Sequence, residues 1–470
     1  MKTSIRAHSL LVHIAFYATV FGAYNASVDK NFSGADGTTV GGTKMYATIA
    51  SAINGVPSSN SSAYYIYIKN GRYVEHVTMN KPYVTLIGQD RDSAVLSFNL
   101  AQGSPNGSST WGADCATIKI TASNFTAMNM TFENAFDYLG NMVKDTSDAG
   151  YIKSAQALTV RTAGGSNRAF FKNCVIAGYQ DPLFAELGTQ YYKKCVIKGA
   201  VDFIYGGGQA AFDSCDIVCR NRPNKNPMGY ITAPSTQSAQ AYGLVFFNCT
   251  LKKELTSIPA GSYSLGRPWH PSAGNGAADP NAVGMSVYMN CWMDDMIKPV
   301  GWDSMSGKDA NGNKIWFVPY KTTDSRLYEY KSAGPGAIPI ANPPYRKFLT
   351  DSEAANYTVL KVLGGWLPDE STLAGNGIAM AAAPPPRIHL ERKRGNVYLK
   401  IKTAGTITSL STVSVDGRMI PTSSSLLKVN GEYAVRLEFG PGSSAMGKGV
   451  YFITCRTPEG QFTSRVYSVE

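Results

Sequence analysis

Histidine is scarce in this 470-residue chain, with five in all, two of them (His8 and His13) within the first 23 residues. Only His76, His270 and His389 remain beyond that point. No Gly-x-Ser-x-Gly elbow occurs. A serine–histidine–aspartate hydrolase is therefore poorly supplied with parts. The eight cysteines include no Cys-x-x-Cys pair, which removes the usual spacing of a zinc site. Charged residues make up only 16% of the chain against 44% hydrophobic, which excludes a solvated disordered chain and allows a sizeable core. Past residue 23 no apolar run is long enough to span a bilayer. The net charge of +11 sits mostly outside the main domain, since residues 387–470 carry +6 and the first 23 carry +2. A nucleic-acid partner loses its electrostatic support on that distribution. The mild residual positive bias suits a polyanionic substrate.

What is present is β-rich. Gly, Tyr, Phe, Thr and Val are abundant. Residues 1–23, with Lys2 and Arg6 ahead of an apolar run, read as a secretory signal peptide. Residues 46–56 have helical apolar spacing and predict a helix capping a coil end. Short strands follow at 64–69, 83–87, 94–99, 117–121 and 125–132, with turn residues between them. Interruptions at 101–115, 134–155 and 220–245 read as loops. Residues 348–363 predict one helix, capped by Thr350 or Asp351 and ended by Gly364-Gly365. Residues 369–386 form a Pro/Ala-rich linker ending in three prolines. Residues 387–470, with short alternating strands, form a small C-terminal β-sandwich module.

The main domain repeats itself. Phe171-Lys172-Asn173-Cys174-Val175-Ile176 is echoed by Tyr192-Lys193-Lys194-Cys195-Val196-Ile197. Seven residues after each of these cysteines stands an aspartate, Asp181 and Asp202. Local text that recurs in order every ~20 residues marks a solenoid. Short apolar strands whose similar segments recur in order, at gaps wider than a hairpin turn, favour an all-β, right-handed parallel β-helix over a sandwich. On such coils Cys174, Cys195 and Cys215 share one column, with Cα atoms about 4.8 Å apart. That spacing allows a Cys195–Cys215 disulfide. It equally allows a column of free buried thiols.

Asp181 and Asp202 would then stack on neighbouring coils. A lone Asp in a turn usually bonds its own backbone. Two in one column among apolar neighbours are costly to bury without a partner or a task. One ionised carboxylate can attack an ester carbonyl. The other, its pKa raised by the like charge and burial, can hold a proton for the leaving alkoxide. Glutamine amides such as Gln180 and Gln156 can donate to an oxyanion, although Gln156 reads equally well as one rung of an amide ladder. An arginine beside one Asp would split the two pKa values. Arg267 alone reads as a surface residue, and Trp269 alone as core packing or a sugar-stacking face.

At these residues the chain resembles the pectin methylesterases (pectinesterases, a carbohydrate esterase family), and their secreted bacterial branch most closely. The resemblance rests on GYQDPLF (178–184), GAVDFIYG (199–206), LGRPWHP (265–271), SAQAL (154–158), GYITAPST (229–236), GWDSMSGKD (301–309) and DSRLYEYKSAGPGA (324–337). It covers roughly residues 35–368 and makes 24–368 the expected catalytic domain. It implies hydrolysis of the C6 methyl esters of homogalacturonan, with no metal or organic cofactor. Asp202 would be the nucleophile, Asp181 the acid/base, Gln180 and Gln156 the oxyanion and positioning amides, and Arg267 the partner of Asp202. Trp269 would form the sugar floor, with Thr117, Arg220, Asn226 and Met305 contacting substrate. Pro182 and Tyr205 depart from the family's usual Thr and Phe without removing a needed group. The resemblance further implies a monomeric, secreted bacterial enzyme, extracellular or at the cell surface. The C-terminal module resembles a type IX secretion sorting domain, with a wall-attachment module as the alternative. A polysaccharide lyase or glycosidase on the same fold and a non-catalytic wall-binding protein are the competing functions.

Overall fold

The structure, a computed structural model, describes residues 24–338 and 345–370, together with the backbone of the strands lying between 387 and 468. The expected signal peptide and most of the expected linker lie outside the described residues.

Three long sheets of 12, 8 and 7 strands run the length of the main unit. One coil contributes one strand to each. Ala169–Lys172, Val175–Ala177 and Leu183–Phe184 make one such coil, and Thr189–Lys193, Val196–Gly199 and Val201–Gly206 make the next. Pairing between these coils is parallel and in register, with Phe171 opposite Tyr192, Val175 opposite Val196 and Leu183 opposite Ile204. This is the parallel β-helix expected from the repeat. The helix Ile49–Asn54, capped by the Thr48 side chain, buries Ile49, Ala52 and Ile53 in the core of the coil, as the apolar spacing of 46–56 predicted.

Each coil turns sharply between the first and second sheets. The residue before the cysteine adopts a left-handed conformation: Asn173 (φ 50°), Lys194 (φ 53°), Ser214 (φ 55°), Asn248 (φ 52°) and Asn290 (φ 53°). Asn tolerates that region better than most residues, which explains its recurrence there. The same turn at Asn129 (φ 52°) splits the single strand expected at 125–132 into Thr126–Met128 and Thr131–Asn134.

The Cys195–Cys215 disulfide is not formed: Cys174, Cys195, Cys215, Cys249 and Cys291 are free and buried. Strand register does place them in one column. In-register parallel strands, however, send equivalent side chains in the same direction. Each thiol therefore donates to carbonyls instead of forming an S–S bond; Cys195 Sγ lies 3.4 Å from the Phe171 oxygen and Cys215 Sγ 3.4 Å from that of Tyr192. Parallel Cβ vectors about 4.8 Å apart miss the ~3.8 Å Cβ separation of a disulfide.

Inside the coil an aromatic column runs parallel to the cysteines. Phe171, Tyr192, Phe212, Phe246 and Tyr288 stack face to face with centroids 5.0, 4.7, 4.5 and 4.6 Å apart. The segment expected as one helix at 348–363 is two: Asp351–Ala354, with a Thr350–Glu353 capping box, and Val359–Val362, capped by Thr358. Thr358 starts a second cap where a continuous helix would need an interior residue. This tail lies over the outer face of the first sheet, burying Ala354, Val362 and Leu363 against Phe170, Tyr191, Ala211 and Val245.

The second unit contains two four-stranded antiparallel sheets, with Arg387–Lys393 and Asn396–Lys402 in one and Gly449–Thr457 and Gly460–Ser468 in the other. Its strand content agrees with the alternating pattern of 387–470.

Candidate active site

Asp181 and Asp202 occupy the same rung of adjacent coils. Gln180 bridges to Val201, the Asp181 N–H donates to the Val201 carbonyl at 3.0 Å, and Leu183 faces Ile204. Both aspartates have left-handed backbones (φ 63° and 46°). Asp is among the few side chains that accept this conformation at modest cost. The repeated glycine three residues earlier has its own cause. A Cβ on Gly199 would fall 2.1 Å from that of Phe203, and one on Gly178 would fall 2.8 Å from that of Pro182. The chain folds back on itself at each Asp, so the Gly-x-x-Asp spacing is a backbone requirement. Between Val201 and Ile204 the register against the next strand, Gly229–Pro234, also slips by one residue. Such a bulge re-aims a side chain beside a site, and here that side chain is Asp202.

Arg267 follows the strand Tyr263–Gly266. It reaches across Gly229–Pro234 to make a two-point ion pair with Asp202, Nε to Oδ1 at 2.9 Å and Nη2 to Oδ2 at 2.6 Å. Its guanidinium lies 3.9 Å over the Tyr230 ring. Planar forks of this kind fix a carboxylate in both position and rotation. Among the described residues Asp181 has no such partner. Burial, and secondarily the charge of Asp202, pushes its carboxyl well above the usual carboxylate range, with Arg267 opposing. The two carboxylates therefore share a column but have different surroundings.

They open onto a cleft of about 400 Å³ lined by Gln102, Ala113, Gln156, Gln180, Phe184, Tyr205, Ala233, Arg267, Trp269 and Met305 as well as both aspartates. The Gln156 Oε1 atom is buried with no hydrogen-bond partner among the described residues. Ala157 rather than Gln156 is the residue that pairs with Gln180; the amide reaches the cleft from one position before that rung. Phe184 and Tyr205, opposite each other in register, stack at 4.3 Å. Trp269 stands edge-on to both, at 6.1 and 5.4 Å. These three rings form an apolar wall beside the carboxylates.

Seven of the ten expected site residues thus meet in one cleft. Thr117 does not: it is fully buried, and its hydroxyl donates to the Glu133 carbonyl at 3.0 Å. Arg220 lies outside the cleft lining. It bonds Glu254 and the Gly178 carbonyl and caps the Tyr179 ring at 3.8 Å. Asn226 is exposed in the loop ahead of Gly229–Pro234. Gln102, Phe184 and Tyr205 were missed as lining residues. Phe184 and Tyr205 carried a signal in the two repeats, three residues beyond each Asp; Gln102 sits in a long loop with no such pattern.

The family model named Pectinesterase matches residues 38–366. Pectinesterase A of Dickeya chrysanthemi is 44% identical over 365 residues, which is 76% of this chain and 94% of that protein. Probable pectinesterase A of Aspergillus niger is 30% identical over 337 residues, covering 70% of this chain and 87% of the relative. Among solved structures, the pectin methylesterase from Erwinia chrysanthemi superposes with a TM-score of 0.66 at 43% identity, covering 74% of this chain and 98% of its own. A mutant pectin methylesterase in complex with a hexasaccharide gives a TM-score of 0.68 at 43% identity, with coverage of 74% and 98%. Fold and matches together define a carboxylic ester hydrolase built on a parallel β-helix. The chain belongs to the pectinesterase family.

Proposed function

We propose that the chain hydrolyses the C6 methyl esters of homogalacturonan to pectate and methanol, with Asp202 as nucleophile and Asp181 as acid/base. The supporting observation is the asymmetry of the pair: Arg267 grips Asp202 at two points, whereas burial favours a proton on Asp181. A carboxylate oxygen of Asp202 attacks the ester carbonyl carbon. The Gln180 and Gln156 amides, both in the cleft lining, would donate to the developing oxyanion. Collapse breaks the bond to the methoxy oxygen, which takes the Asp181 proton and leaves as methanol. Asp181, now ionised, removes a proton from water; the hydroxide attacks the acyl-enzyme and frees Asp202. Trp269 and Met305 floor the sugar chain, with Phe184 and Tyr205 beside them.

Highly methylated pectin separates this from other chemistry on the same fold. Methanol release without new reducing ends or unsaturated-product absorbance is expected; absorbance or reducing ends without methanol would overturn it. Asp202→Ala should lower methanol release by at least ~10³-fold while the fold survives, and unchanged turnover would refute its role. The chain acts as a monomer outside the bacterial cell or at its surface, with residues 387–470 serving in sorting or wall attachment. Among the described residues no helix is long and apolar enough to cross a membrane. Cell fractionation with and without residues 387–470 tests the assignment: an unchanged distribution removes the sorting role.

A further inference from the structure

One exposed element beside the cleft gives only Met305 to the reading above. Met305–Lys308 and Lys314–Phe317 pair antiparallel as a two-stranded ribbon. Its two faces differ. On the inner face Met305 lines the cleft, Gly307 lies against Ala278, and Phe317 stacks on the His270 ring at 3.6 Å. The outer face carries Ser306, Lys308, Lys314 and Trp316, all exposed. Trp316 keeps 57% of its surface in solvent.

Two features of this outer face are unfavourable for the ribbon by itself. Lys308 and Lys314 are directly opposite each other. Like charges at opposed positions destabilise a strand pair. Among the described residues neither lysine has a carboxylate within ion-pair distance, and the adjacent Asp309 spends its oxygens on the N–H groups of Asn311 and Asn313 and on the Asn313 amide. Trp316, a large apolar ring, stays mostly in water even though the Lys314 ammonium makes a cation–π contact with it, 4.6 Å from its centroid. A sugar ring on the indole face and a carboxylate between the two ammonium groups would relieve both.

We propose that this face of the ribbon is a second polysaccharide site, outside the cleft, that holds stretches of polyuronate already freed of their methyl esters. The inference rests on the pectinesterase reading for the identity of the polymer. An esterified galacturonate offers the sugar face alone, whereas a de-esterified one adds the anion that the lysine pair needs. The enzyme would thereby remain on chains that carry its own product.

The test is affinity electrophoresis of the full chain through gels holding polygalacturonate or highly methylated pectin, with methanol release from a short methylated oligogalacturonide measured in parallel. The double variant Lys308→Ser/Lys314→Ser should bind polygalacturonate roughly three- to tenfold more weakly, since two exposed charge contacts are lost. Its affinity for methylated pectin and its turnover of the short ester should stay at the parent's level. The parent's retention should fall as salt rises. Trp316→Ala should weaken both polymers. Equal retention of parent and double variant would overturn the second site and leave the esterase intact. A matching fall in short-ester turnover would overturn it too, because the ribbon would then act through Met305 in the cleft. Lysine-dependent retention without methanol release from the parent would support the site and overturn the esterase.

Discussion

At the scale of single residues, the chemistry depends on two aspartates with the same backbone and different neighbours. The left-handed turn and the glycine behind it recur in both coils, so local text alone placed the two carboxylates together. The partner that distinguishes them is 65 residues away from Asp202 in sequence. No local pattern marks Arg267, and only the family resemblance pointed to it. The raised carboxyl of Asp181 leads to a signed prediction. A free Asp ionises near pH 3.9. Because the folded protein favours the protonated form, Asp181 contributes stability that is complete below about pH 4 and is lost as pH rises through its raised folded value. Asp181→Asn should abolish that decline, so its melting temperature should gain on the parent's as pH increases. The variant should also lose activity by about 10²–10⁴-fold, the usual worth of a positioned acid/base, and the parent's activity should fall on the alkaline side where Asp181 loses its proton. Melting curves that keep a constant offset at every pH would refute the assignment.

At the scale of elements, the period was readable because each coil repeats the same constraints. An aromatic fills the interior, a residue tolerant of left-handed backbone makes the bend, and a cysteine fills the corner. Sequence spacing showed that the cysteines share a column but not which way their thiols point. That direction depends on the parallel pairing itself and decides against the bridge. The ribbon at 305–317 was missed because it interrupts the coil period, and the tail was misread as one helix because Thr358 looks like a helix interior residue until its side chain is seen accepting from the Lys361 N–H. The aromatic column allows a stability test. Phe212 is fully buried between Tyr192 and Phe246. Phe212→Ala removes two ring contacts and opens a cavity in a coil that its neighbours above and below hold at fixed spacing. A loss of about 3–5 kcal/mol is expected in denaturant melts. Phe212→Leu keeps much of the volume and should cost less than the alanine change. A cost under 1 kcal/mol for Phe212→Ala would mean that the column is not continuous.

At the scale of the whole main unit, a β-helix must close its last coil. The final strand of the long first sheet is Ser325–Tyr330, and it carries Glu329 with no exposed surface. Burial pushes the Glu329 carboxyl above its usual range despite the arginine against it. That arginine, Arg346, comes from beyond the strand and forks onto Glu329 with Nε to Oε1 at 2.8 Å and Nη2 to Oε2 at 2.5 Å, while Nη1 reaches the Gly336 carbonyl at 3.1 Å. Both side chains are completely out of solvent. A buried pair adds little net stability, because desolvating two charges offsets their attraction. Breaking it is another matter, since one charge is then left without a partner. Arg346→Met should therefore cost about 3–5 kcal/mol, despite matching the arginine stem in bulk. The cost should depend on pH. The abandoned Glu329 would take up a proton, so the variant should be least impaired below about pH 4, near where a free Glu ionises, and should weaken as pH rises. Glu329→Gln/Arg346→Met should recover most of the loss at neutral pH, because it removes the charge rather than stranding it. Denaturant melts of the three proteins at two pH values test the closure: equal stability of the single and double variants at neutral pH would show that Arg346 acts through its carbonyl contacts to Gly336 and Pro299 instead of through Glu329.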